Sequence, residues 1–129
     1  MKLEFDAAVE IMRKMHSIID EVIAECGEGL NHFEFKLLFM IHKKNLNTIK
    51  AIKDDAIANH KSFSKEDISK FEVKIAKISK HLIDKGLINL ERIEGDARCK
   101  KINVTPEGKD LIEKIDKRSR EIWKELNND

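Results

Sequence analysis

The sequence has no tyrosine, one tryptophan, one proline and five glycines. So little Gly and Pro excludes a low-complexity, collagen-like or disordered chain. Two cysteines, Cys26 and Cys99, make no disulfide framework. No apolar run approaches the length of a membrane span. The first residues, MKLEFDAAVEIMRKM, read as an amphipathic helix and lack the apolar core and small-residue cleavage site of a signal peptide. A cytoplasmic protein with no membrane partner is expected. No P-loop, dinucleotide glycine motif, H-E-x-x-H or nucleophile elbow occurs, so nothing points to an enzyme. The five histidines, His16, His32, His42, His60 and His81, show no H-x3-H spacing. Neither a metal site nor a cofactor is expected.

What remains is a chain of 129 residues, 41% hydrophobic and 38% charged, long enough to bury the core of one domain. Its Lys, Glu, Ile, Leu and Ala favour helix. The net charge is only +1, but unevenly spread. Residues 1–30 carry three basic and seven acidic side chains, residues 31–60 five and three, residues 61–105 eleven and seven, and residues 106–129 six and seven. The positive block therefore lies at 61–105, where a nucleic-acid surface is to be sought.

In chain order, Phe5 to Cys26 reads as a long helix. Phe5, Ala8/Val9, Met12, Met15, Ile19, Val22/Ile23 and Cys26 step at threes and fours, and Gly27-Glu28-Gly29 ends it. A terminal helix this apolar is a candidate for dimer packing. Leu30 to Lys44 follows, with Asn31 and Glu34 spaced as a capping box. Phe33, Leu37, Leu38, Phe39, Met40 and Ile41 make it the expected central core helix. Asn47 or Thr48 opens the next helix, carrying Ile49, Ile52, Ala56 and Ile57, and Asn59-His60-Lys61-Ser62 breaks it.

Ser64-Lys65-Glu66-Asp67 starts a new helix, with acids in the first turn where the helix dipole favours them. Ile68, Phe71, Ile75, Ile78 and Leu82 form its apolar stripe. Two structures fit: one helix from Lys65 to Lys85, or a short helix to Lys70, a turn near Glu72 and a second helix from Lys74. Opposite the stripe lie Lys70, Lys74, Lys77 and Lys80, with Val73 and Ala76 among them. Lysines at helical spacing reach phosphates, and small residues between them let a helix approach base edges. A merely solvated lysine face is the common alternative, and the sequel weighs against it. Gly86 stops the helix, and two alternating runs, Leu87–Ile93 and Cys99–Val104, flank the charged tip Glu94-Gly95-Asp96-Ala97-Arg98. Thr105-Pro106 then caps and opens a last helix with Ile115, Ile122, Trp123 and Leu126 on its apolar face. Helix, hairpin, helix is what a winged helix-turn-helix requires. The expected fold is mainly α with a small β-hairpin wing and long N- and C-terminal helices.

Lys85-Gly86-Leu87-Ile88, Asp96-Ala97-Arg98 and Val104-Thr105-Pro106-Glu107-Gly108 resemble the wing of the MarR family of transcription regulators, whose pattern is K-G-L-[IV], D-x-R and L-T-x-x-G. The resemblance is good from Ile75 to Ile115. It implies a homodimer on double-stranded operator DNA, with residues 1–30 and 106–129 as dimerisation helices and 31–105 as the DNA-binding lobe of a single domain. Phe5, Val9, Met12, Ile19, Ile115, Ile122 and Trp123 are the expected dimer face. Lys70, Lys74, Lys77 and Lys80, with Arg92, Asp96, Arg98 and Lys100 on the wing, are the expected DNA-binding residues. By the same resemblance Arg98 reaches the minor groove or its phosphates, and Asp96 holds the wing turn or orients Arg98. The alternative is that the two simply pair across a turn.

The stretch Leu46–Phe63 is longer than that family's spacing. Either Asn47–Asn59 is the first helix of the helix-turn-helix, with an extended connection, or Ser64–Lys70 is, and Leu46–His60 is an insertion. Relatives bind phenolic or lipophilic effectors between the dimer helices and the DNA lobes. The corresponding candidates are Met12, Met15, His16 and Met40, although methionines more commonly fill cores. Some relatives sense oxidants, but neither cysteine has an evident pKa-lowering environment beyond Arg98, Lys100 and Lys101 beside Cys99. A repressor is the leading expectation. Two rivals use the same fold: a protein-interaction module, suggested by the near-neutral charge and by Glu66, Asp67 and Glu72, and a replication or partition protein of a mobile element.

Overall fold

A computed structural model describes residues 4–59, 64–92, 95 and 100–127. Five helices and one hairpin follow in the order α1 (Phe5–Cys26), α2 (His32–Lys44), α3 (Ile49–Asn59), α4 (Lys65–Asp84), β1 (Ile88–Arg92), β2 (Lys100–Val104) and α5 (Pro106–Leu126). None of the described helices is long and apolar enough to cross a membrane.

The helix starts are set by side chains that satisfy otherwise unpaired N–H groups. Asn31 accepts from the Glu34 N–H and Glu34 accepts from the Asn31 N–H, a complete capping box for α2. Thr48 accepts from Ala51 at α3 (3.0 Å), and Ser64 and Asp67 cap α4 reciprocally. α4 is a single uninterrupted helix, so the turn near Glu72 does not occur. Because α3 precedes it as a separate helix, α3 and α4 form the helix-turn-helix. The alternative of a short Ser64–Lys70 helix after an insertion is thereby corrected. Residues 60–63, which include His60, lie outside the described set.

Gly86 ends α4. Its φ of +73° is a left-handed conformation that glycine adopts freely. The Gly86 N–H donates to the Ile83 carbonyl (2.9 Å) and the Leu87 N–H to the Leu82 carbonyl (3.0 Å), the paired bonds of a Schellman stop. β1 and β2 pair antiparallel, with Ile88 opposite Val104 and Arg92 opposite Lys100. On its other edge β2 gains one further bond, from the Ile102 N–H to the Asn47 carbonyl (2.7 Å), which ties the wing to the loop before α3.

α2 is the central helix, packing on α1, α4, α5 and β2. Val22, Leu38, Ile52, Leu82, Ile88, Ile112 and Ile115 are fully buried around it. Phe33, expected in this core, stands 54% exposed because the Asn31 cap places it in the first turn of α2, at the rim. α1 divides in two. Ile18, Val22 and Ile23 are buried against α2 and α5, whereas Phe5, Val9, Met12 and Met15 on the N-terminal half are exposed. Ile115, expected on the dimer face, is wholly enclosed in the protomer's own core. Ile19, Ile122 and Trp123 are half-buried against that core. The cause is the lengthwise packing of α1 on α5, which uses much of each helix's apolar stripe within one chain.

Candidate nucleic-acid interface

The α3–α4 pair presents α4 to solvent. Ile75, Ser79 and Leu82 face inward, and Ile68, Phe71 and Ile78 are half-buried beside them. At 3.6 residues per turn, Ser69, Lys70, Val73, Ala76, Lys77 and Lys80 then fall on the outward side, and all are exposed. Val73 is 66% exposed, which no core role explains. Ser69 is the residue of this face that sequence reasoning missed. Its polar character is ordinary for a helix, and only the fixed phase of α4 brings it beside Val73.

The lysines differ in how they are held. Lys70 pairs with Glu66 one turn earlier (3.4 Å), both highly exposed. Lys74 lies toward α2, with Nζ 3.5 Å from the centre of the Phe33 ring. Lys77 and Lys80 have no ion-pair partner among the described residues. Lys53 of α3 bridges to Glu72 of α4 (3.1 Å), fixing the two helices against each other. At the N-terminus of α4 the Ser64 backbone N–H, and then its side chain, hold the Asp67 carboxyl below the usual carboxylate range, with Lys70 adding to the effect. Near the other end, His81 Nδ1 lies 3.4 Å from Glu34 Oε2, an oxygen otherwise without a hydrogen-bond partner. Glu34 is buried beneath the first turn of α2, so this contact joins α4 to the central helix.

The hairpin packs beside α4 through β1. Arg92 and Lys100 face one another at its described outer end. Like charges opposite each other weaken a strand pair, and a phosphate between them would remove the penalty. On the opposite face Asn103 donates to Asn89 (3.2 Å) and Glu91 (3.0 Å), which stiffens the ribbon. Asp96, Arg98 and Cys99 lie outside the described residues. Cys26 is a free thiol whose Sγ contacts the Val22 carbonyl at 3.3 Å.

A second feature sits behind the interface, where α1, α2 and α5 enclose an open cavity of about 630 Å³. Met12, Met15 and His16 line it as expected, but Met40 does not. Phe35 and Phe39 of α2 and Trp123 of α5 supply the rest of its apolar wall. Lys36 and Arg120 also line it, Arg120 being bridged to the lining Asp116 (3.0 Å), and the buried Ser119 hydroxyl beside it has no partner among the described residues. Among those residues no group of three or more His, Cys, Asp or Glu could hold a metal ion.

No sequence-family profile matches this chain, and no curated protein sequence does. Solved structures do. Wild-type apo MarR from E. coli superposes with a TM-score of 0.69 at 15% identity, covering 99% of this chain and 86% of that one. The fold is that of the MarR regulators. Staphylococcus aureus MarR in complex with salicylate and kanamycin matches with a TM-score of 0.68 at 20% identity, over 95% of this chain and 72% of its own. The M. tuberculosis transcriptional regulator MosR in complex with DNA matches with a TM-score of 0.58 at 19% identity, over 98% and 82%. The MarR fold thus takes in the whole winged helix-turn-helix together with α1 and α5, and not the lobe alone.

Proposed function

We propose that this chain is a homodimeric, sequence-specific DNA-binding transcription regulator of the repressor type. The observation that carries the reading is the exposed face of α4, with Lys70, Lys77 and Lys80 around Ser69, Val73 and Ala76, set beside the Arg92–Lys100 pair of the wing. The MarR fold that holds them is one that MosR presents in complex with DNA.

In this reading α4 enters the major groove. Its small side chains approach base edges while its lysines contact flanking phosphates. The wing follows the neighbouring backbone through Arg92 and Lys100, and the family resemblance assigns Arg98 to the minor groove or its phosphates and Asp96 to holding the wing turn or orienting Arg98. Residues 31–105 are the DNA-binding lobe. Residues 1–30 and 106–129 join two copies, so that the lobes meet successive half-sites of a pseudo-palindrome. The exposed Phe5, Val9, Met12 and Leu126 support that pairing, since a row of large apolar side chains in water favours a partner. The cavity between α1, α2 and α5 would take a small amphipathic effector whose acidic group meets Lys36, since Arg120 is already paired with Asp116.

Retardation of DNA from upstream of the gene, together with enrichment of a symmetric site from random duplexes, is the expected result. Absence of both at low salt would reject the proposal. A second reading has one observation in its favour: Glu66 and Glu72 neutralise Lys70 and Lys53 beside the bare Val73, as a protein-binding face would. Partner binding that is insensitive to salt, with no DNA affinity, would favour it.

A further inference from the structure

Among the described residues, Lys74 alone of the α4 lysines has its ammonium group placed over a ring, and that ring comes from outside the helix-turn-helix. Phe33 is not isolated. The His32 ring meets it edge-on, with centroids 6.3 Å apart and planes at 88°. His32 in turn stacks on His16 of α1 at 4.8 Å and 25°. Nδ1 of His32 donates to Asp20 Oδ1 (2.9 Å), which fixes the ring's orientation. His16 and His32 are also part of the wall of the cavity. A continuous line of ring contacts therefore leads from the cavity to the flank of α4.

We propose that Phe33 is a positioning residue for Lys74 at DNA, and that the His16–His32 stack makes this position depend on what fills the cavity. The consequence for DNA rests on the proposed function, while the geometry does not. A lysine side chain in water samples many rotamers, and a ring beneath its ammonium group removes much of that freedom before DNA arrives. The ring engages the cation through its face and leaves N–H donors pointing outward. A phosphate oxygen can then be met without breaking the contact. At the other end, an occupant that displaces His16 leaves the His32 ring held by its Asp20 hydrogen bond alone, so that it can tilt about that bond against Phe33. Adjacency alone is not coupling; a two-state element is needed, and the two states here are Lys74 on the ring, as in the structure, and Lys74 released from it.

Methylene protons of a lysine held over a ring resonate upfield of those of other lysines, so carbon–proton spectra of the full chain report the position of Lys74 directly. Phe33→Leu should abolish the displacement. His16→Leu and His32→Gln should each reduce it, and Met12→Leu, on the same wall but off the line, should leave it. With a short mixed-sequence DNA duplex, Lys74→Gln should reduce the slope of log affinity against log salt by about 0.9. Phe33→Leu should weaken binding about three-fold with the slope kept, and should have no further effect in the Lys74→Gln background. Lys74 resonances indifferent to both histidine variants would overturn the link to the cavity. Additive effects of Phe33→Leu and Lys74→Gln would overturn the positioning role. If the wild-type chain binds no duplex even at low salt, the DNA reading fails and the positioning role with it, while the Lys74 resonances still decide the link.

Discussion

The hydroxyl of Thr105 donates a 2.7 Å hydrogen bond to the carbonyl of Gly86. The same oxygen accepts from the Gly108 N–H (3.0 Å), and the Thr105 N–H donates to the Leu87 carbonyl (3.0 Å). One residue therefore caps α5, closes the base of the wing and clamps the end of α4. Two pieces of the motif, Gly86-Leu87 and Thr105-x-x-Gly108, are the two halves of this joint. Thr105→Ala removes a cap and a second hydrogen bond, and should destabilise the fold by about 1–2 kcal/mol. Thr105→Ser, which keeps the oxygen, should cost well under half of that. Urea denaturation measures both, and equal destabilisation by the two variants would mean that the methyl group, and not the hydroxyl, matters.

Gly108 tests the same joint sterically. Inside a helix, glycine to alanine normally stabilises by about 0.5–1 kcal/mol. Here a Cβ would run into the Leu87 carbonyl, which is held by the Thr105 N–H, and lie 2.9 Å from Val104 Cγ1, which is held by the β1–β2 pairing. Forced repacking of this kind costs about 1–3 kcal/mol, so it should outweigh the helix gain. Gly108→Ala is expected to lower the unfolding midpoint. A raised midpoint would show that α5 can shift away from the wing freely.

Which parts of this were legible in the sequence follows from how local their causes are. The α2 capping box, the Gly86 stop and the Thr105-Pro106 start depend on residues within five positions of each other, and all are where the sequence places them. The stripe Ile68, Phe71, Ile75, Ile78 and Leu82 suits one helix or two in line, because periodicity carries no information on a break. The Ser64 cap and unbroken hydrogen bonding settle it. The site was less legible. Lysine spacing identified the basic face of α4, but it could not separate Lys74, held by Phe33 from 41 positions upstream, from Lys77, which is free of ion pairs among the described residues. Ile115 shares an apolar face with Ile122 and Trp123 in sequence. Only the packing of α5 on α1 separates the enclosed residue from the half-exposed pair.

The unequal holding of the lysines predicts unequal effects on DNA. Removing one lysine–phosphate interaction should reduce the salt slope of log affinity by about 0.9. Lys77→Gln and Lys80→Gln are each expected to show that full change, since no ion pair among the described residues competes for the ammonium group. Lys70→Gln should show less, because Glu66 at 3.4 Å already shares its charge. Glu66→Gln alone should strengthen binding slightly by releasing Lys70. Affinities measured on one duplex across a salt series decide the order. A Lys70 effect equal to that of Lys77 would place the Glu66 pair outside the energetics of binding.

Asp67 gives a pH prediction with a definite sign. Ser64 holds its folded carboxyl below the ordinary value of 3.8. A group with a lowered folded pKa stabilises the fold fully above its unfolded pKa, and that contribution is lost as pH falls through the folded value. Wild type should therefore exceed Asp67→Asn in stability at neutral pH. The gap should hold down to the ordinary carboxylate range and close below it, where both side chains are neutral. Amide exchange in the first turn of α4 would follow the same course. A gap that persists unchanged into acid would mean that the cap depends on shape and not on charge.

The apolar N-terminal half of α1 supplies the last prediction. Phe5 is 80% exposed, Met12 58% and Leu126 of α5 59%. In an isolated protomer, glutamate at Phe5 and Met12 should cost little, because surface positions without partners tolerate change within about 0.5 kcal/mol. In a dimer closed by α1 and α5, the same pair would place charge in a newly buried contact and should drive the equilibrium to monomer. Sedimentation equilibrium on wild type and on Phe5→Glu/Met12→Glu separates the cases, with a concentration-dependent dimer expected for the first and a folded monomer for the second. The variant should also lose cooperative binding to a two-half-site duplex while keeping weak, salt-sensitive binding to one half-site, since Lys77 and Lys80 lie on α4, away from the altered helix. A wild-type chain that sediments as a monomer at all concentrations would contradict the dimer.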